Sequence, residues 1–126
     1  MNNLNKSIGM KAFIVVDENN MCSNGLYFDP FGKNYFDGHL EPLFGGFQGF
    51  YMPDIALSET KGLHGATIYE VSFDGDRVFN NLGIVAIREP KGITRISTSE
   101  LIDIIRRKVY WCYTDESIWF NNIDAV

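Results

Sequence analysis

Apolar and polar positions alternate most cleanly over Ala66–Phe79 (ATIYEVSFDGDRVF). Tyr69, Val71 and Phe73 fall on one side, and Ile68, Glu70 and Ser72 on the other. A period of two with β-branched and aromatic residues predicts a half-buried strand. Asp74-Gly75-Asp76 then predicts a tight turn, with Gly75 supplying positive φ at little steric cost. Arg77, Val78 and Phe79 start the return, so the stretch reads as the central hairpin of a small domain.

Other elements follow from the same patterning. Lys11–Asp17 (KAFIVVD) is a short run rich in β-branched residues and predicts a first strand, with a turn at Glu18-Asn19-Asn20. A bend at Asn24-Gly25 precedes a short strand around Leu26–Phe28. Asp29–Gly49 holds Pro30, Gly32, Gly38, Pro42, Gly45, Gly46 and Gly49, punctuation that makes loops and short strands rather than helix. Phe47–Tyr51 predicts a strand in which Gly49 faces a bulky neighbour or marks a bulge. Pro53 suits the first turn of a helix over Pro53–Glu59, because its missing N–H would be unpaired there.

Leu82–Arg88 (LGIVAIR) and Ile93–Ile96 predict two further strands, separated by Pro90 and Gly92. Ser97-Thr98-Ser99-Glu100 is a capping box. The helix it opens carries Leu101, Ile102, Ile105 and Val109 on one face, with Arg106, Arg107 and Lys108 where they complement the helix dipole. Val109–Tyr113 reads as a buried strand or a final helical turn, Thr114–Glu116 as a turn, and Ser117–Phe120 as a last strand. Residues 1–9 read as a flexible arm, and Met10 as an alternative start. The fold class expected is α+β, a mostly antiparallel sheet with about two helices packed on it, in a single domain over residues 10–126.

Length and composition narrow the function. The 126 residues fit one domain, and 45% apolar residues suffice for one core. A net charge of −5 and a pI near 4.9 argue against a nucleic-acid partner, since the only basic cluster is Arg106-Arg107-Lys108. No stretch approaches transmembrane length, and residues 1–9 lack the apolar run of a signal peptide. A cytoplasmic location with free thiols is the expectation, with no membrane partner.

The short motifs in their order resemble a family of small uncharacterised domains of bacteriophages and their bacterial hosts. The matching residues are Lys11-Ala12-Phe13, Met21-Cys22, Gly32-Lys33-Asn34-Tyr35, Gly46-Phe47 or Gly49-Phe50 ahead of the Pro53 helix, Tyr69-Glu70-Val71 and Gly75-Asp76. They span about residues 10–105. The family's Gly-Phe-His-x-Cys stretch is not kept: Gln48 or Tyr51 stands where the His would fall, and the second Cys is absent. No metal or redox role is therefore carried over. What the resemblance implies is a context, a phage-encoded protein acting in a host cell.

Candidate chemistry is sparse. Cys22, His39, His64 and Cys112 lack the close-spaced pair of a zinc site, so no metal and no cofactor is expected. Cys112 lies in an apolar setting that makes a thiol inert, and Cys22 reads as the more exposed of the two, without a basic neighbour in sequence. Gly45-Gly46-Phe47-Gln48-Gly49 lacks the Lys-Ser/Thr of a phosphate loop and reads as a turn with close backbone packing. An ADP-ribosyltransferase-like enzyme is the alternative by fold-level analogy, with His39 or Tyr35, Ser72 and Glu116 as its candidate residues.

Aromatics are the remaining feature: 10 Phe, 6 Tyr and 2 Trp. Tyr27, Phe31, Tyr35, Phe36, Phe44, Phe50 and Tyr51 are the candidate binding residues, most of the loop rings being expected to fill the core and a few to stay exposed. Trp111, Tyr113, Trp119 and Phe120 are candidates for a homodimer contact. The leading expectation is a non-enzymatic interaction domain that binds a host or phage protein, with inhibition of a host-defence protein as one specific form. A homo-oligomeric structural or accessory protein is the third reading.

Overall fold

The computed structural model describes residues 10–107. The sequence expectations at residues 1–9 and 108–126, including Lys108, the 109–113 run, Cys112, Glu116 and the 117–120 strand, lie outside that range. The elements are β1 (Met10–Val16), β2 (Phe47–Phe50), α1 (Pro53–Thr60), β3 (Thr67–Phe73), β4 (Arg77–Phe79), β5 (Ile84–Ile87), β6 (Lys91–Ile96) and α2 (Thr98–Arg107). The six strands form one antiparallel sheet in the order β4-β5-β2-β1-β3-β6, and with the two helices they make an α+β fold.

The central hairpin differs from the sequence expectation. Asp74–Asp76 does not reverse the chain, and Gly75 is not at positive φ. β3 pairs with β1 and β6, while β4 pairs with β5. The reversal comes four residues later, at Asn80–Gly83. There Asn80 Oδ1 accepts from the Leu82 and Ile84 N–H groups at 2.9 and 3.0 Å, and Gly83 takes φ +95. Strands β3 and β4 are thus two halves of one bent arm, and β5 and β6 are two halves of the other.

Pairing holds the same register on both sides of the bend, since Tyr69 faces Arg95 and, eight residues on, Arg77 faces Ile87. Between them, Arg88 N–H donates to Asp76 C=O across the bend at 3.1 Å. A local slip between Glu70 and Ser72 is absorbed at Gly92, which takes φ +54 against Ser72. β1 pairs with the outer edge of one arm, β2 with that of the other, and β1 with β2, so the ladders wrap into a ring.

Alternation divides the side chains between the inside and outside of this ring. Ala12, Ile14, Val16, Phe47, Tyr69, Val71, Phe73, Val85 and Ile87 face the first core. Phe13, Val15, Phe50, Ile68, Ile84 and Ile96 face the second, beneath α1 and α2. β1 is buried on both faces, which explains its unbroken apolar run. Gly49 is closely packed, since a Cβ there would lie 3.1 Å from Ala12 Cβ and Ile87 Cδ1, tighter than ordinary contact.

The helices begin where the sequence places them. Pro53 occupies the first turn of α1. In α2 the capping box is formed: Glu100 N–H donates to Ser97 Oγ at 3.0 Å, and Ser97 N–H donates to Glu100 Oε1 at 2.9 Å. Its buried face is Leu101 and Ile104, with Ile105 partly covered, rather than the expected face through Ile102. Docking beside α1 selects the stripe at spacings of three and four.

The first core is closed by residues 17–46. Cys22 and Phe28 are buried in it, and Leu26 and Phe36 pack against it. Residues 26–28 contribute a single bridge, Met21 to Tyr27, in place of the expected short strand. Phe28 is fully buried, with its ring 5.3 Å from Tyr69 and 6.1 Å from Phe47.

Candidate functional site

The 17–46 loop has little regular structure, yet its backbone is tied down by buried or half-buried polar side chains, among them Asn34, Arg88 and Gln48. The first is Asn34, 5% exposed, whose amide accepts from Asp29 N–H at 2.7 Å and donates to Asp29 C=O at 2.8 Å. The second is Arg88, at the bend of the hairpin. Its guanidinium donates to the C=O groups of Phe36 and Gly38 at 2.7 and 3.0 Å and to Asp76 Oδ2 at 3.0 Å. Its own C=O accepts from Phe36 N–H. A planar guanidinium with five donors suits such a clamp, and an ammonium does not reproduce it.

The third is Gln48, 2% exposed. Its Oε1 accepts from Leu43 N–H at 2.6 Å, and its Nε2 donates to the C=O groups of Gly45 and Gly46. These bonds hold the turn Glu41–Gly45, which closes with reciprocal backbone bonds between Glu41 and Gly45. Leu43 sits in the turn at φ 79. A left-handed Leu costs about 1–2 kcal/mol and persists only where its surroundings impose it. Asn24 braces the same turn, donating from Nδ2 to the C=O of Gly46 at 3.0 Å.

The glycine pair after the turn serves packing, as its composition suggests. A Cβ on Gly45 would collide with the His39 carbonyl, and one on Gly46, at φ +95, would meet Leu40 Cδ2 at 2.7 Å.

Pinned in this way, the loop presents large apolar side chains outward. Phe31 is 96% exposed and Phe44 72%, and Tyr27, Tyr35 and Leu43 are also exposed. Phe31 lines an open cavity of about 440 Å³ between Pro30–Asn34 and Glu89–Ile93. The remaining candidate binding residues are not on the surface. Phe50 is buried under the helices. Tyr51 is buried in the first core with its hydroxyl donating to Asn80 C=O at 2.6 Å, and Phe36 is half-buried. The reason is strand alternation: Phe50 and Tyr51 point to opposite faces of a sheet that is covered on both sides.

The residues of the enzyme alternative occupy separate surroundings. Ser72 Oγ donates to Lys91 C=O at 3.2 Å within the β3–β6 ladder. His39 is exposed beside Glu41 at 3.9 Å, and Tyr35 is exposed on the loop. Neither the cavity beside Phe31 nor a second one at Ala66–Ile68 and Arg95–Glu100 is lined by any of the three. Glu116 lies outside the described residues.

Cys22 is buried rather than exposed, and desolvation raises its pKa from 9.0 to about 11. A hydrogen bond from the Gln48 backbone opposes the rise, and the Asp17 charge adds to it. The folded state therefore holds the thiol proton more tightly than the unfolded chain does. The stability this confers is complete below about pH 9 and is lost as pH rises through 11. Urea midpoints of the parent chain are expected to fall more steeply over that interval than those of Cys22→Ala. At pH 8, mass-mapped iodoacetamide labelling of Cys22 is expected only when urea unfolds the chain.

No protein-family model, curated protein or solved structure matches the sequence.

Proposed function

We propose that this chain is a protein-interaction domain whose contact surface is the 27–44 loop, with Phe31 and Phe44 as its anchors. The observation that carries the reading is the high exposure of two phenylalanines, Phe31 and Phe44, on a loop otherwise fixed by buried Asn34, Gln48 and half-buried Arg88. Large apolar rings facing water on a pre-organised backbone lose little entropy on binding and make effective anchors. Tyr27, Tyr35 and Leu43 extend the surface. Binding and inhibition of a host-defence protein is one specific form of this reading, in the phage context that the resemblance implies.

The test is affinity capture with Phe31→Ala and Phe44→Ala, singly and together. Each truncation is expected to weaken capture about tenfold or more, as for an interface anchor. Thermal stability should stay within roughly 0.5 kcal/mol of the parent, because neither ring is buried. Capture unchanged in the double variant would overturn the reading.

A further inference from the structure

Charge around the exposed rings is lopsided. Residues 17–46 carry five carboxylates, Asp17, Glu18, Asp29, Asp37 and Glu41, against one lysine, Lys33. This loop thus holds a net −4 of the chain's −5. Of these groups, Asp37 and Glu41 are exposed between Tyr35 and Phe44. Of the cations nearby, Arg88 is engaged on Asp76 and the loop carbonyls and Lys91 on Asp74 at 3.6 Å, while Lys33 is exposed at the cavity beside Phe31. Among the described residues, no Lys or Arg pairs with Asp37 or Glu41, and Glu41 has only His39 beside it at 3.9 Å, so the loop combines apolar anchors with exposed carboxylates.

We infer that the occupant of this surface is a cationic protein segment, presenting Lys or Arg around an apolar centre. The inference rests on the interaction reading above and adds the chemistry of the partner. Carboxylates beside a docking site favour an oppositely charged surface and repel a like-charged one. A second copy of this chain would set Asp37 and Glu41 against the same carboxylates, so the charge pattern selects against self-association through this loop. The exposed rings add a favourable contact with guanidinium and ammonium groups lying over their faces.

The experiment selects random 16-residue displayed peptides on the immobilised full chain, counter-selected on Phe31→Ala/Phe44→Ala. The enriched peptides, synthesised, are the probes. Expected is a set with net positive charge and at least one apolar residue. Its affinity should fall about tenfold between 50 and 500 mM NaCl, and about tenfold in Asp37→Lys/Glu41→Lys. Both of those side chains are exposed, and circular dichroism confirms folding; the salt series stands by itself if that variant does not fold. Neutral or acidic peptides that depend on the two rings would overturn the cationic partner and leave the interaction surface standing. Failure to enrich any ring-dependent peptide would overturn both.

Discussion

Phe28→Ala is expected to destabilise the chain by about 3–5 kcal/mol, the range for removing a fully buried ring. Phe28 is 0% exposed and is the loop's main aromatic insertion into the first core, edge-on to Phe47 and tilted against Tyr69. Its removal leaves a void between the loop and the ring of strands, and the packed sheet cannot collapse to fill it. For a domain of this size the midpoint should fall by roughly 12–20 °C. Calorimetry gives the shift, and hydrogen exchange shows where it acts. Protection should fall across β1, β2 and β3 as well as the loop, because Phe28 touches residues of the sheet itself. Loss confined to residues 17–46 would mean that the loop only drapes over a self-sufficient sheet.

Gln48→Leu has the second largest expected effect, and it links stability to binding. Leu keeps nearly the same volume but cannot bond the turn. Gly46 C=O keeps Asn24 and Gly45 C=O keeps the Glu41 N–H, whereas Leu43 N–H loses its acceptor. Losing the acceptor of this part-buried donor costs up to about 1–3 kcal/mol, and the left-handed Leu43 is released, which returns some of its strain. The net loss expected is about 1–2 kcal/mol by urea unfolding, since relief of the Leu43 strain offsets part of the lost hydrogen bond. The turn should then relax, so Glu41–Gly45 becomes the first site of limited proteolysis. Capture should drop as far as in Phe44→Ala even though Phe44 is intact. A variant that loses stability but captures normally would separate the turn geometry from binding. The companion Leu43→Gly tests the strain directly: glycine takes positive φ freely, so this exposed substitution should be neutral or stabilising.

Local chemistry was legible in the sequence wherever it depended on near neighbours. The Ser97/Glu100 capping box, Pro53 at the start of α1, the strand alternation of Tyr69, Val71 and Phe73, and the close packing of Gly49 all follow from short-range sterics and hydrogen bonding. Partner choice did not follow. Nothing near Asp74–Asp76 reveals that the chain continues through a bend to turn at Asn80–Gly83, because register is fixed by the strands on either side.

Only the tertiary structure decided which aromatics are anchors and which are core. Phe28, Phe31, Phe44 and Phe50 are the same residue type within one loop-rich stretch, yet two are buried and two are exposed. The difference lies in contacts from residues far along the chain: Tyr69 over Phe28, the helices over Phe50, and Arg88 holding residues 36–38. Likewise Gln48 carries no motif; it becomes a buried clamp because β2 places its amide beneath the turn. The sequence by itself determined the α+β class, the helix starts and the acidic character of the loop. Burial is a collective property of distant segments, so it assigned each aromatic its role only once the ring of strands was closed.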